Sequence, residues 1–342
     1  MRVALKPIAE QTIVITGASS GIGLATALAA AAKGARVVLA ARGSEALDQA
    51  VQRIRDAGGE SIGVPVDVGV EADLRRLART AIDRYGGFDT WVNNAGVDIW
   101  GRLDEVDEAD HRRLFETNFW GTVHGSLVAL EHLKRHGGAL INVGSVASDH
   151  PYPLQGMYSA SKQAIRGFTD TLRMEVEQEG VPVSITLIKP AAVGTPLARH
   201  ARNYFDREAQ LPPPLYAPEE VAKAILHAAS HPRRDVFVGG TAKAMSVLAA
   251  RVPRLADLIG ERVLAPRQLA DRPATRHEDN LHHHSVGDAS VHGDQAARLH
   301  TSLYTRLSLR PGVAAAALGA GAGAIAGIVL SRRRGGRPRR RR

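Results

Sequence analysis

An apolar, β-branched run from Thr12 leads directly into Thr16-Gly17-Ala18-Ser19-Ser20-Gly21-Ile22-Gly23, and a stretch of helical period follows at once. This order constrains the chain more than any other feature in it. The glycines let the backbone turn tightly between a strand and a helix, and they leave the first helical amides open towards an anion such as a pyrophosphate. A glycine-rich turn also occurs as a plain tight turn; the strand before it and the helix after it are what point to a dinucleotide.

The same alternation continues to about Gly239. Seven strand candidates appear: Thr12 to Thr16, Ala35 to Ala40, Ser61 to Val66, Thr90 to Asn93, Ala139 to Val143, Val183 to Ile188 and Asp235 to Val238. Several are near-continuous Val, Ile and Leu, as strands covered on both faces require. Between them, helical periods run over Leu24 to Lys33, Ser44 to Asp56, Glu71 to Arg84, Asp107 to Arg135, Gly156 to Glu179 and Pro218 to Ser230. Right-handed crossovers of that length predict an α/β fold with a Rossmann-type, doubly wound parallel sheet of about seven strands in a single domain. Thr195 to Ala217, with Pro212, Pro213 and Pro214, is too long for an ordinary connection and reads as a substrate-covering loop.

Beyond Arg251 the periodicity dissolves. The expected organisation is a catalytic domain over 1–260, a linker or disordered stretch over 261–312, an Ala/Gly-rich apolar segment over 313–330 and an Arg-rich tail over 331–342. Charge follows the same division. The chain has 44 Lys+Arg and 35 Asp+Glu, and residues 261–342 hold 15 of the former and 6 of the latter, so the first 260 residues are balanced. The basic character therefore says nothing about the catalytic part. Absence of cysteine excludes disulfides, thiolate nucleophiles and cysteine zinc sites. Charged Arg2, Lys6 and Glu10 before the first strand argue against a cleaved secretory signal, and a cytoplasmic enzyme is expected.

The end of the second strand selects the cofactor. An acidic residue there would bind a ribose 2′-hydroxyl, whereas a basic one suits a 2′-phosphate. Here the strand ends Leu39-Ala40-Ala41-Arg42, with no Asp or Glu between Arg36 and Ser44. Arg42 offers a planar fork to a phosphate, so NADP(H) is favoured over NAD(H). Further on, Tyr158-Ser159-Ala160-Ser161-Lys162 lies in a helical stretch, and the four-residue spacing puts Tyr158 and Lys162 on one face. An ammonium beside a phenol stabilises the phenolate and brings its pKa towards the working range of an acid/base.

Taken together, these motifs resemble the short-chain dehydrogenase/reductase family from about Ile8 to Ser246. The resemblance rests on the Thr16-Gly17-x-x-x-Gly21-Ile22-Gly23 turn, Asp67-Val68 after the third strand, Asn93-Asn94-Ala95-Gly96 after the fourth, Asn118 in a long helix, Ser145 after the fifth, and Tyr158 with Lys162. It implies a hydride transfer between NADP(H) and a carbonyl or alcohol. Ser145 would orient the substrate oxygen, Tyr158 would exchange its proton, and Lys162 would lower the Tyr158 pKa and hold the nicotinamide ribose. Asn118 would position a water linking Lys162 to solvent. Cofactor contacts would come from Gly17, Ser19, Ser20, Gly21, Ile22, Gly23 and Arg42, from Asp67 and Val68 at the adenine, and from Asn94, Ala95 and Gly96 along its ribose. Val193 and Thr195, after Pro190, would meet the carboxamide. A plain strand-end cap is the alternative for Asp67, and Ala191 departs from the glycine usual after the proline.

Trp100, Tyr152, Leu154, Leu197, Tyr204 and Phe205 are candidate walls for a fairly apolar substrate, His150 reads as a surface-loop histidine, and no metal site is expected; His282 to His284 reads as adventitious binding. A homodimer or homotetramer follows from the resemblance. The uncharged run Val313 to Leu330 would be about 27 Å long as a helix, nearly a bilayer core. With eight arginines following between Ser331 and Arg342, two readings stay open: a surface-lying helix held to anionic lipid, and a flexible tail. Nucleic acid is not expected as a partner. The alternative to an enzyme is a catalytically silent cofactor sensor or membrane-tethered scaffold of the same fold.

Overall fold

The computed structural model describes residues 3–274, 279–284, 289–297 and 299–309. In chain order the first half runs β1 (Thr12–Thr16), α1 (Gly21–Ala31), β2 (Arg36–Ala41), α2 (Ser44–Asp56), β3 (Glu60–Pro65), α3 (Glu71–Tyr85), β4 (Thr90–Asn93), β5 (Ile99–Trp100) and α4 (Glu108–Phe115). A π-helical turn, Glu116–Trp120, joins α4 to α5 (Gly121–His136), followed by β6 (Gly138–Val143), α6 (Gly156–Glu179) and β7 (Val183–Pro190). The second half contains α7 (Leu197–His200), β8 (Arg202–Asn203), β9 (Arg207–Ala209), α8 (Pro218–Ser230), β10 (Asp235–Val238), α9 (Gly240–Arg251), α10 (Pro253–Ile259), β11 (Leu269–Pro273) and α11 (Leu303–Leu309).

All seven expected strands join one parallel sheet in the order β10-β7-β6-β4-β1-β2-β3. Strand order reverses between β1 and β4, and a crevice opens there at the carboxyl ends of the strands. The period-2 alternation of side chains sorts β1 between two cores: Ile13 and Ile15 pack with Leu24, Leu47 and Val221 of α1, α2 and α8, while Val14 packs with Leu74, Leu133 and Leu172 of α3, α5 and α6. Each such side chain contributes about 1.5–3 kcal/mol on burial. Both faces are covered, which is why the strands read as continuous apolar runs.

A buried polar chain fixes the distance between the sheet and the helices that carry the candidate site. Trp91 Nε1 donates to Asn93 Oδ1 (2.8 Å), Asn93 Nδ2 donates to Asn142 Oδ1 (2.9 Å) and Ser126 Oγ (3.0 Å), and Asn142 Nδ2 donates to Thr169 Oγ1 (2.9 Å). Strands β4 and β6 are thereby tied to α5 and α6. Helix α5 comes this close because residue 125 is glycine: a Cβ there would stand 2.1 Å from Asn93 Oδ1.

Two expectations are corrected. The long helix Asp107 to Arg135 is interrupted by the π-turn at Glu116–Trp120, where the extra residue turns Asn118 inward. The stretch expected as linker is, in its described residues, packed on the body. β11 pairs antiparallel with β9, Leu281 is fully buried beside Val97, Ile99 and Leu114, and the Gly239 amide beside β10 donates to Thr305 Oγ1 of α11 (3.0 Å). Its contacts combine backbone bonds and ion pairs with single buried side chains such as Leu281, Ala289 and Val291, which leave no helical or strand period in the sequence. Among the described residues no helix is long and apolar enough to cross a membrane. The apolar segment 313–330 and the arginine tail 331–342 lie outside those residues.

Two glycine substitutions should separate packing from propensity. Gly125→Ala should lower the stability of the fold by about 1–3 kcal/mol, because the new methyl must displace Asn93 from its buried bonds. Gly167→Ala, on the exposed side of α6 with open space around it, should raise stability by about 0.5–1 kcal/mol. Denaturant midpoints of both variants check the opposite signs.

Candidate active site

The glycine turn at the end of β1 is shaped by what it touches. Gly17 has φ +63°, and a Cβ on it would lie 2.8 Å from Ala95 Cα. Thr16 Oγ1 accepts the amides of Asn94 (3.0 Å) and Ala95 (3.1 Å), and Asn94 Nδ2 donates back to the carbonyls of Thr16 (3.0 Å) and Gly17 (3.2 Å). The Asn94 side chain is therefore the clamp on the turn. In α1 the first intrahelical amide is Leu24, bonded to Ser20. The amide of Ile22 precedes it, at the positive end of the helix and on the wall of the crevice.

The crevice is a cavity of about 740 Å³, long enough to be lined by Arg42 at one end and Met245 at the other. Of the residues expected at the site, Gly17, Ser19, Ser20, Gly21, Ile22, Arg42, Asp67, Val68, Asn94, Ala95, Gly96, Ser145, Tyr158, Lys162, Pro190, Val193 and Thr195 line it. Two stand behind the wall. Gly23 is packed against the Gly17 carbonyl, where a Cβ would sit 2.1 Å away, and Asn118 is fully buried. Beyond Pro190 the chain stays extended despite Ala191, whose amide donates to the Val238 carbonyl (2.9 Å).

Helix α6 brings Tyr158 and Lys162 together one turn apart. Lys162 Nζ lies 5.6 Å from the Tyr158 ring centre and donates to the Val143 carbonyl (3.0 Å). Ser145 begins a short 3-10 turn, its Oγ accepting the Ala147 amide (3.1 Å). Asn118 is bonded in both directions to the backbone of Val97 (2.8 and 2.9 Å) and donates to Ser161 Oγ on α6 (3.2 Å), so the π-turn braces the helix that carries the pair.

Burial governs the electrostatics. It pushes the Tyr158 phenol above its ordinary value; Asp98 adds to that and hydrogen bonding with Ser145 opposes it. The lowering expected from Lys162 is not seen: burial dominates and leaves the phenol raised. Burial also lowers Lys162 to about 8, against an opposing attraction from Asp98. Asp98 itself is raised to about 8 by burial, opposed by the Ile99 amide, Gln155 and Lys162. Gln155 Nε2 donates to its Oδ2 at 2.5 Å. Asp98 and Gln155 both line the cavity and were missed from the sequence, although an acid inside the apolar stretch Val97-Asp98-Ile99-Trp100 was a signal.

At the opposite end, Asp67 does what a strand-end cap does: Oδ1 accepts the Gly69 amide (2.9 Å) and Oδ2 accepts Arg113 (2.5 Å). The Arg42 fork donates to the carbonyls of Leu281 (3.2 Å) and Asn280. Burial, with Arg113 nearby, lowers the Arg42 pKa. The substrate walls differ from those expected. Tyr152 and Leu197 line the cavity, but Trp100, Leu154 and Phe205 pack with Ala201 and Leu269 in a separate cluster, and Tyr204 donates to Asp110 (2.8 Å). Leu211, Met245, Leu248 and Leu264 take their place. His150 is buried near Gly260 rather than exposed. Among the described residues no cluster of His, Cys, Asp or Glu has the makings of a metal site.

Comparison with known proteins agrees with this geometry. The family model described as short chain dehydrogenase matches residues 11–204. The uncharacterized oxidoreductase YxnA of Bacillus subtilis is 45% identical over 319 residues, covering 92% of this chain and 90% of that one, a match that necessarily runs past Ala297. The crystal structure of a short chain dehydrogenase/reductase from Burkholderia phymatum in complex with NAD matches with a TM-score of 0.65 and 29% identity, over 75% of this chain and 96% of that one. An alcohol dehydrogenase from the archaeon Thermococcus sibiricus, complexed with 5-hydroxy-NADP, matches with a TM-score of 0.58 and 27% identity, over 66% and 95%. These matches in sequence and in shape show that the chain belongs to the short-chain dehydrogenase family of oxidoreductases.

Proposed function

We propose that the protein reduces a fairly apolar ketone or aldehyde with NADPH, Tyr158 giving the proton to the carbonyl oxygen. The observation that carries this reading is the arrangement at the cavity: Tyr158, its phenol raised above its ordinary value and so protonated at neutral pH, lines it together with Ser145 and Lys162. A group kept protonated at neutral pH is equipped to donate, and donation is what carbonyl reduction needs. The bound dinucleotide supplies the hydride. Ser145 hydrogen-bonds the substrate oxygen and orients it. As the proton leaves Tyr158, the Lys162 ammonium, charged below about 8, stabilises the phenolate left behind. Asn118 holds the start of α6 through Ser161, and a water beside it connects Lys162 to solvent.

The dinucleotide fits the donors present. Ile22 offers a helix-opening amide to the pyrophosphate on the cavity wall, beside Ser20 and Gly21. NADP(H) is the preferred cofactor in this reading because no carboxylate ends β2, while Arg42 lines the cavity there and can fork to a 2′-phosphate. Leu211, Met245, Leu248 and Leu264 favour an apolar substrate. A second copy of the chain is the proposed partner: Trp120 and Leu127, seven residues apart along α5 and its leading turn, and Met174 on α6 are exposed to 44%, 48% and 58%.

Three measurements test this. Tyr158→Phe should lower kcat by about 10² to 10⁴-fold and leave NADPH affinity within about twofold, since the ring still packs and only the proton donor is lost; more than about a tenth of wild-type kcat would refute the role. Arg42→Asp should weaken NADPH by about 10 to 150-fold and improve NADH relative to it, as fluorescence titration of both cofactors would read; a ratio moving less than about threefold removes the preference. In a pH profile, kcat/KM for reduction should stay level at neutral pH and fall above about 8, where Lys162 loses its charge. Because Asp98 favours the charged form of Lys162, Asp98→Asn should move that limb to lower pH. An unmoved or upward-shifted limb would mean that the two groups are not coupled.

A further inference from the structure

The segment 279–284 returns to the body at the adenosine end of the cavity and is pinned there by separate contacts. Asp279 Oδ2 accepts Arg202 (2.9 Å), His282 Nε2 meets Asp110 Oδ1 (2.7 Å), and the Leu281 side chain is fully buried. The Leu281 carbonyl accepts both Arg113 (3.1 Å) and Arg42 (3.2 Å). Asp110, the hub of this latch, also accepts Arg202 (2.8 Å) and Tyr204 (2.8 Å), and these bonds hold its carboxyl down at about 2. A segment so anchored has little freedom to choose which side chains it presents.

What it presents to the cavity are Asn280 and His284. The imidazole of His284 lies directly on Gly43: a Cβ at that position would be 3.2 Å from its Cδ2. It therefore stands next to Arg42, at the end where the adenosine ribose would lie. The charges already there balance, since Arg42 and Arg113 face Asp67 and Asp279. Two of the N–H groups of Arg42 are engaged by carbonyls of the segment, which orient the fork and leave its other donors. Further along, Ser290 accepts the Gly21 amide (2.9 Å) and Gly293 donates to the Gly194 carbonyl (3.1 Å), so the chain follows the rim of the crevice past the glycine turn while the cavity beneath stays open.

We infer that residues 279–284 and 289–293 form the outer wall of the dinucleotide site and that His284 joins Arg42 in recognising a phosphate on the adenosine 2′ position. The inference rests on the NADP(H) reading above and adds a specificity residue from outside the family's Rossmann body. An imidazole N–H is a suitable second donor for a dianionic phosphate whose first partner is a guanidinium. The Arg42 carbonyl contacts act as positioning bonds rather than as competitors.

The adenosine end can be probed alone, with adenosine 2′,5′-bisphosphate and AMP titrated against the full chain by intrinsic fluorescence or calorimetry. His284→Ala should weaken the bisphosphate about tenfold and AMP by no more than about twofold. Leu281→Asp, which unlatches the wall, should weaken both. Equal effects of His284→Ala on the two probes, or none, overturn the assignment of His284. Tighter binding by Leu281→Asp overturns the wall and makes the segment an inhibitory cover. Arg42→Asp titrated alongside separates the two readings: if it discriminates between the probes and His284→Ala does not, only this inference fails, and if neither does, the cofactor preference fails with it.

Discussion

Everything at the crevice depends on the close approach of the glycine turn to the segment after β4. Thr16 and Asn94 hold the two together with four hydrogen bonds, and Gly17 admits the Ala95 backbone where any side chain would collide. That contact sets the width of the groove at the point where strand order reverses. It also places Gly96 and Val97 so that Asn118 can bond the Val97 backbone and, through Ser161, brace the helix of Tyr158 and Lys162. The glycine turn and the Tyr158–Lys162 helix are consequently parts of one bonded structure.

Dryness gives the pair its chemistry. In water a phenol and an ammonium titrate at similar values near 10, and neither has a clear role at neutral pH. Burial moves Tyr158 up and Lys162 down to about 8, which keeps the proton on the phenol and, below about 8, the charge on the lysine. Asp98 lets the lysine remain charged in so dry a place. Its own carboxyl is raised to about 8, so it gains its charge in the same range in which the lysine loses its own.

The parts of this protein that were legible in the sequence are those governed by repetition or by fixed spacing. All seven strands emerged from runs such as Thr12 to Thr16, because a strand covered on both faces must be apolar throughout. Tyr158 and Lys162 were readable from four-residue spacing, and the helix ends Ser44, Asp56, Gly156, Glu179, Pro218 and Ser230 agree with the structure. What was not legible is what depends on single contacts between distant segments. The π-turn around Asn118 has no compositional mark, and Asp98 is intelligible only once Gln155 is seen 2.5 Å away. Trp100, Leu154 and Phe205 were plausible pocket walls by type, but packing under the loop took them out of the cavity and Met245, Leu248 and Leu264 entered it. The region after Gly260 was misread for a related reason: its bonds are made largely by carbonyls, which every residue possesses.

That region changes how the two ends of the cavity relate. Leu264 lines the substrate end, β11 then pairs with β9 of the substrate loop, Asp279 takes Arg202 at β8, and Asn280 and His284 reach the adenosine end. The Leu299 amide returns to the Leu215 carbonyl at the base of the same loop, before α11 docks beside β10. The 195–217 loop and the 279–284 segment therefore share anchors, with Arg202 and Asp110 as their common point. A movement of either must strain the ion pairs that hold the other, so the same contacts that order one binding surface order both.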